Sequence, residues 1–148
     1  RGGSSRLWIR VREKDGLSYD VRSGMEWNPY EANSSFVMSA IFAPTNQPKV
    51  EAAIQEELAR ALADGFTQRE LDEAKAGLLN FRRLGRAQDA QLTAQLLQGL
   101  RLDRRFAFEQ AIDDALTGLT LAQVNGAFRK HIDPNKITYA WGGDFKKP

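Results

Sequence analysis

Apolar and polar positions along this chain follow two periods, one of two residues and one of about 3.6. Tyr19, Val21, Ser23, Met25 and Trp27 alternate with Asp20, Arg22, Gly24, Glu26 and Asn28. Successive side chains of a strand point to opposite faces, so this stretch is expected to bury one face, with Tyr19 and Val21 on it. Phe36, Met38, Ala40 and Phe42 then alternate with Val37, Ser39, Ile41 and Ala43. Both faces are apolar here, the pattern of a central strand. The intervening Asn28-Pro29-Tyr30-Glu31-Ala32-Asn33 favours a turn, so the two strands are expected to form an antiparallel hairpin that ends at Pro44.

Helical spacing follows. Asn46 with Pro48 marks a helix start, and Val50, Ala53, Ile54, Leu58, Ala61 and Leu62 form one stripe up to Gly65. Thr67-Gln68-Arg69-Glu70 is a capping box opening a second helix with Leu71, Ala74, Leu78 and Phe81. Gly85 is a potential break before a third helix with Ala87, Leu92, Leu96 and Leu100. Asp103 is the expected cap of a fourth, bearing Phe106, Phe108, Ala111, Ile112 and Leu116 up to Gly118. Thr120 to Gln123 is a second capping box, opening a helix that runs to His131. Asp133-Pro134-Asn135 turns the chain into a third expected strand, where Ile137, Tyr139 and Trp141 alternate with Thr138 and Ala140.

The amino-terminal stretch reads as a helix that stops at a glycine and hands over to the first strand. Ser4 or Ser5 can cap it, and Leu7, Trp8 and Val11 supply its apolar face. Gly16 suits the left-handed residue on which helices commonly end. Arg12 and Tyr19 place two strong hydrogen-bond donors on either side of that turn.

Strands segregated from a run of helices indicate an α+β fold, an antiparallel sheet covered on one side by helices. Three strands are few for so many helices, so one or more strands are expected from upstream of Arg1 or from a partner surface. At 148 residues, 42% hydrophobic and 27% charged, the chain is expected to be a single globular domain spanning 1–148. No apolar run reaches the roughly 18 residues needed to span a membrane.

Composition narrows the chemistry. With zero cysteines there are no disulfides or thiolate metal sites, and reducing and oxidising compartments suit the chain alike. A net charge of +2 gives little reason to expect nucleic-acid binding, and none is expected. The basic band of Arg82, Arg83, Arg86, Arg101, Arg104 and Arg105 reads as a solvated face paired with nearby acids. The pairs Glu56-Glu57 and Asp113-Asp114 read as solvated surface too. Neither a phosphate loop nor a dinucleotide turn is present, since Gly142-Gly143 lacks the spacing and the following helix. The single histidine, His131, stands at a helix carboxyl end, where a cation suits the dipole. One histidine cannot build a two-histidine zinc centre.

Ser5-Arg6-Leu7, Val11-Arg12-Glu13-Lys14 and Gly16-Leu17-Ser18-Tyr19 together resemble a signature of the pitrilysin/insulinase family of inverted-motif zinc metallopeptidases. The signature belongs to the family's carboxy-terminal, non-metal-binding type of domain. Gly2-Gly3 ahead of it, Leu119-Thr120-Leu121 with Val124-Asn125, and Ile137 to Gly143-Asp144 extend the likeness over essentially the whole chain. The resemblance implies a metallopeptidase-homology (LuxS/MPP-like) fold lacking its first strand or strands and a helix, as a piece of a longer chain would. It also implies that zinc is bound by an H-x-x-E-H motif in an absent amino-terminal domain or partner subunit, and none by this chain.

In that family an arginine and a tyrosine seven residues apart reach the bound peptide, and they match Arg12 and Tyr19. The resemblance therefore implies a peptide substrate contacted by these two residues near the scissile bond. A guanidinium stays charged and donates along two directions, and a phenol is a neutral donor, so the pair suits a carbonyl that gains negative charge. The alternative is a non-catalytic structural or partner-stabilising homologue. By composition alone, Arg12 would be surface and Tyr19 would point its ring into the core.

Overall fold

The computed structural model describes residues 5–145. Gly2, Gly3, Ser4 and the carboxy-terminal lysines, which entered the sequence reading, lie outside the described residues. The chain divides into two compact units, one made of the residues up to Gly65 with those from Phe128 onward, the other Phe66–Ala127.

The first unit holds the hairpin. A one-turn helix α1 (Arg6–Trp8) passes without a break into a π-helical stretch, Ile9–Lys14. Strands β1 (Ser18–Glu26) and β2 (Ser35–Phe42) pair antiparallel, with Val21 opposite Ala40 and Met25 opposite Phe36. Pro44–Asn46 makes a 3-10 turn into the long helix α2 (Gln47–Asp64), which stops at Gly65 with φ 75°. The stop is left-handed, where glycine avoids the Cβ clash. Leu7, Val11, Val21, Val50 and Ala53 close the apolar core, with Leu17, Met38, Ala40, Phe42 and Ile54 packed against it. Helix α1, the π stretch and α2 thus bury the sheet's inner face, giving the α+β layer. Arg129 donates to the Leu62 and Ala63 carbonyls (2.9 and 3.2 Å), satisfying the free end of α2.

Two expectations fail in this unit. Only the first part of β1 is buried: Val21 joins the core, whereas Met25 and Trp27 are exposed. The apolar cluster under the hairpin does not extend that far. Ile137–Trp141 is not a third strand either. The turn expected from Asp133-Pro134-Asn135 is present, as a 3-10 turn at Pro134–Lys136. The segment after it lines a groove with β2 but forms no ladder with it. A groove of about 320 Å³ separates the two. Among the described residues the sheet is the β1–β2 pair.

The second unit is helical. Helices α3 (Gln68–Arg86), α4 (Asp89–Arg101) and α5 (Phe106–Gly118) follow, and α6 (Leu121–His131) returns the chain to the first unit. Both capping boxes form: the Thr67 hydroxyl accepts from the Glu70 N–H while Glu70 accepts from the Thr67 N–H, and Thr120 and Gln123 repeat the exchange. Gly85 does not break α3. Asp103 does not cap α5, which starts after Arg105. The chain instead reverses tightly after α4, with the Arg104 N–H donating to the Gly99 carbonyl (2.8 Å) and Asp103 at φ 51°. A Cβ on Gly99 would lie 2.7 Å from the Arg104 carbonyl oxygen, so the reversal requires a glycine there.

Candidate functional site

The site expected from sequence lies where the π stretch turns into β1. Ser5 caps the helix by accepting from the Trp8 N–H (3.3 Å), and Leu7 and Val11 bury its inner side. The Asp15 N–H reaches the Arg10 carbonyl (3.1 Å) and the Leu17 N–H reaches that of Val11 (2.9 Å). The first spans five residues, one more than an α-helical turn, a feature common at functional sites, and the second spans six and closes the stretch around Gly16. Gly16 closes the stretch at φ 60°, the left-handed conformation that favours glycine. Arg10 clamps it from the side, with its guanidinium 2.9 Å from Asp15 and 3.0 Å from Glu56 on α2.

Arg12 stands on the outer side of this frame. Its guanidinium lies over the Trp8 ring, 4.3 Å from the centroid, and donates from Nη1 to the Tyr19 backbone carbonyl (2.9 Å). Stacking and a hydrogen bond together limit the rotation of a long side chain. One of the five guanidinium N–H donors is used on Tyr19, and the side chain is exposed.

Tyr19 owes its position to a β-bulge. Ser18 pairs with Phe42 and Asp20 with Ile41, so Tyr19 is the extra residue. An extra residue inverts the alternation that follows, and Val21 therefore shares the inner face with Ser18 rather than with Tyr19. Ser18 and Val21 are buried, while Tyr19 is 69% exposed. The expectation that Tyr19 and Val21 share a face fails for this reason, and so does a core position for the ring. Ser18 replaces the backbone bonds lost at the bulge: its hydroxyl donates to the Ile41 carbonyl (2.6 Å) and accepts from the Asp20 N–H (3.2 Å). Arg22 and Asp20 form an adjacent ion pair at 2.8 Å.

The structure thus brings Arg12 against the main chain of Tyr19 and exposes the phenol. A charged fork and a neutral hydroxyl can each donate to a polar acceptor arriving from solvent. Three contributors escaped the sequence reading: the bulge, Ser18 as its staple, and Trp8 as the platform under Arg12. The four-residue spacing of Trp8 and Arg12 is the one sequence signal that could have revealed the last.

A zinc centre does not fit these residues. His131 is exposed at the end of α6, and among the described residues no group of three or more His, Cys, Asp or Glu could hold a metal. Two members of the arginine band are engaged by acids. Arg82 pairs with Glu109 (2.9 Å) and Asp113, and Arg86 pairs with Asp113 (2.6 Å). Hydrogen bonding from Arg82 holds the Asp113 carboxyl below the ordinary carboxylate value, against the opposing effect of burial. Asp113 is therefore not the solvated surface acid expected from its neighbour Asp114, and Glu57 is likewise buried, beside Arg60.

Residues 1–78 match a family model described as the peptidase M16 inactive domain. A curated relative named as the non-peptidase homolog YmxG, from Helicobacter pylori, is 26% identical over 148 residues, 99% of this chain and 33% of the relative. A crystal structure of a peptidase M16 inactive domain from Pseudomonas fluorescens superposes with a TM-score of 0.79 at 29% identity, over 92% of this chain and 32% of that one. The chain therefore spans about a third of the length of both proteins.

Proposed function

The chain belongs to the peptidase M16 inactive-domain family, and we propose that it serves as a non-catalytic, partner-stabilising domain of that family. The observation that carries this reading is the chain's stock of metal ligands. A single exposed histidine, with no cluster of ligating side chains among the described residues, leaves it unable to build the centre on which zinc peptidases depend. The printed name of the Helicobacter relative, a non-peptidase homolog, agrees with such a role. The partner would be an amino-terminal, zinc-bearing M16 domain, on the same polypeptide or on another subunit.

A second reading adds peptide contact to that role, and the bulge favours it. An exposed tyrosine at the bulge and an exposed arginine stacked on Trp8 present two donors to solvent, which suits an arriving carbonyl. Under this reading Arg12 and Tyr19 hold a peptide carbonyl bound at the partner's zinc.

Kinetics of the assembly with a zinc-bearing M16 half separate the two. If the donors meet substrate, Arg12→Ala and Tyr19→Phe each lower turnover by roughly 100-fold or more, the cost of losing one oxyanion donor, while fold and zinc content stay constant. Unchanged turnover in both variants leaves the stabilising role alone. Peptide hydrolysis by the isolated chain supplied with zinc, abolished by a chelator, would overturn both.

A further inference from the structure

The groove between α3 and α4 lies within the helical unit and has a volume of about 340 Å³. Gln91, Gln95 and Gln98 enter it from α4, four and three residues apart, and so form one stripe along the helix. The Gln91 Nε2 donates to the Gln88 Oε1 (2.9 Å), and its own Oε1 lies 2.8 Å from where a Cβ on Gly85 of α3 would stand. Gly85 thereby lets this carboxamide rest against α3. Among the described residues the Gln95 and Gln98 carboxamides have no hydrogen-bond partner. Arg82 and Arg86 line the opposite wall, and Glu109 and Asp113 of α5 pair with them. Two guanidiniums against two carboxylates leave the groove without net charge, so it favours neither an acidic nor a basic occupant.

A carboxamide carries two N–H donors and a carbonyl acceptor, so one carboxamide complements another. A stripe of them is its own complement, the condition that a two-fold interface sets. The ends of α4 add charges of opposite sign. Asp89 stands in its first turn and Arg101 in its last, both exposed and, among the described residues, without an ion-pair partner. They lie six residues before and six after Gln95. An antiparallel copy of α4 centred on Gln95 therefore brings Asp89 level with the other copy's Arg101, and Gln91 within one residue of the level of Gln98. A parallel copy would set like charges together, and only the antiparallel arrangement opposes the two helix dipoles.

We propose that this groove is a homodimer interface, in which α4 of a second copy lies antiparallel to α4 about a two-fold axis at Gln95. By that symmetry each α4 fills the groove of the other copy, at the interaxial distance of about 8–10 Å usual for packed helices. The carboxamides of the two stripes then exchange hydrogen bonds, which gives Gln95 and Gln98 the partners they lack within one chain. Phe81, 69% exposed where α3 lines the groove, packs on the incoming helix, and Ala94 is small enough to admit a close approach. The occupant is a second copy and not the zinc-bearing half invoked above, so the inference stands apart from that functional reading.

Sedimentation equilibrium of the complete polypeptide that carries these residues tests the interface. The wild type should self-associate reversibly as its concentration rises. Gln95→Glu and Gln95→Lys each set like charges together at the axis, and each should weaken self-association by roughly 100-fold or more. Mixed one to one, the two variants should recover it, because the axis now joins opposite charges. A tag on one variant captures the untagged other, and this recovery shows that both variants are folded. A wild type that stays monomeric at every concentration reached would overturn the proposal, since a peptide or a different protein would then be the occupant. Self-association that both single variants keep would overturn it too, by placing the contact on another face. Weakened variants whose mixture recovers nothing would do the same, because Gln95 would then not meet its own copy.

Discussion

The two units carry similar helical patterns and hold themselves together differently. In the first, α1, α2 and the hairpin bury Leu7, Val11, Val21, Val50 and Ala53 in one apolar cluster. In the second, Leu71 is the buried hydrophobic residue, while Leu96, Leu97, Leu100 and Phe106 on α4 and α5 stay largely exposed. Polar contacts take up part of the task there. Arg82 and Arg86 converge on Glu109 and Asp113, Lys75 donates to the Thr117 and Leu119 carbonyls (2.6 and 3.1 Å), and Asn125 exchanges hydrogen bonds with the Phe66 backbone. Periodicity locates helices in either case. How tightly their apolar stripes are covered depends on what else is packed on them.

The sharpest way to break this contrast is to place the same charge in each unit. Val50→Asp puts an unpaired carboxylate where the native side chain is 2% exposed, and should cost more than about 4 kcal/mol in denaturant unfolding. Leu96→Asp, at a residue 48% exposed, should cost less than about 1 kcal/mol. Equal losses would show that the second unit has a core as closed as the first.

Asp113→Asn should come next, at about 2 kcal/mol, between the limits for exposed and buried ion pairs. The effect should be confined to amide protection within Phe66–Ala127. Its pH dependence has a definite sign. A carboxyl whose folded pKa is lowered contributes stability that is complete above its unfolded value, about 3.9, and is lost as pH falls through the folded one. The gap between wild type and variant should therefore be full at pH 7 and close in acid. A gap independent of pH would assign the loss to packing.

The smallest effect should come from Ser18→Ala, which removes the hydroxyl that staples the bulge, at about 1 kcal/mol. Faster exchange of the Asp20 amide should accompany it. An unchanged Asp20 amide would show that the ladder holds Tyr19 outward without help.

Local chemistry made much of this legible from residues alone. Thr67 with Glu70 and Thr120 with Gln123 satisfy backbone donors three residues away, so both boxes appear where their spacing places them. Ser5 and Gly16 bound the opening stretch for similarly local reasons. Asp103 shows the limit: a good cap by type, it was taken into a reversal governed by the approach of Gly99 to Arg104. The Ile137–Trp141 alternation was equally misleading as evidence of pairing, because a ladder requires a neighbouring edge and the pattern says nothing of one.

Arg12 and Tyr19 divide in the same way. Residue type, the seven-residue separation and the intervening glycine turn are properties of the sequence, and they place two donors at one end of a helix–strand connection. The direction of Tyr19 is not, because one bulged residue inverts every later face and its cost depends on the opposing strand at Ile41 and Phe42. The stacking of Arg12 on Trp8 and its bond to the Tyr19 carbonyl follow from that geometry. Short-range hydrogen bonds and periodicity are encoded within a few residues. Strand register and burial are set by groups far apart in the chain, which only the folded structure brings together.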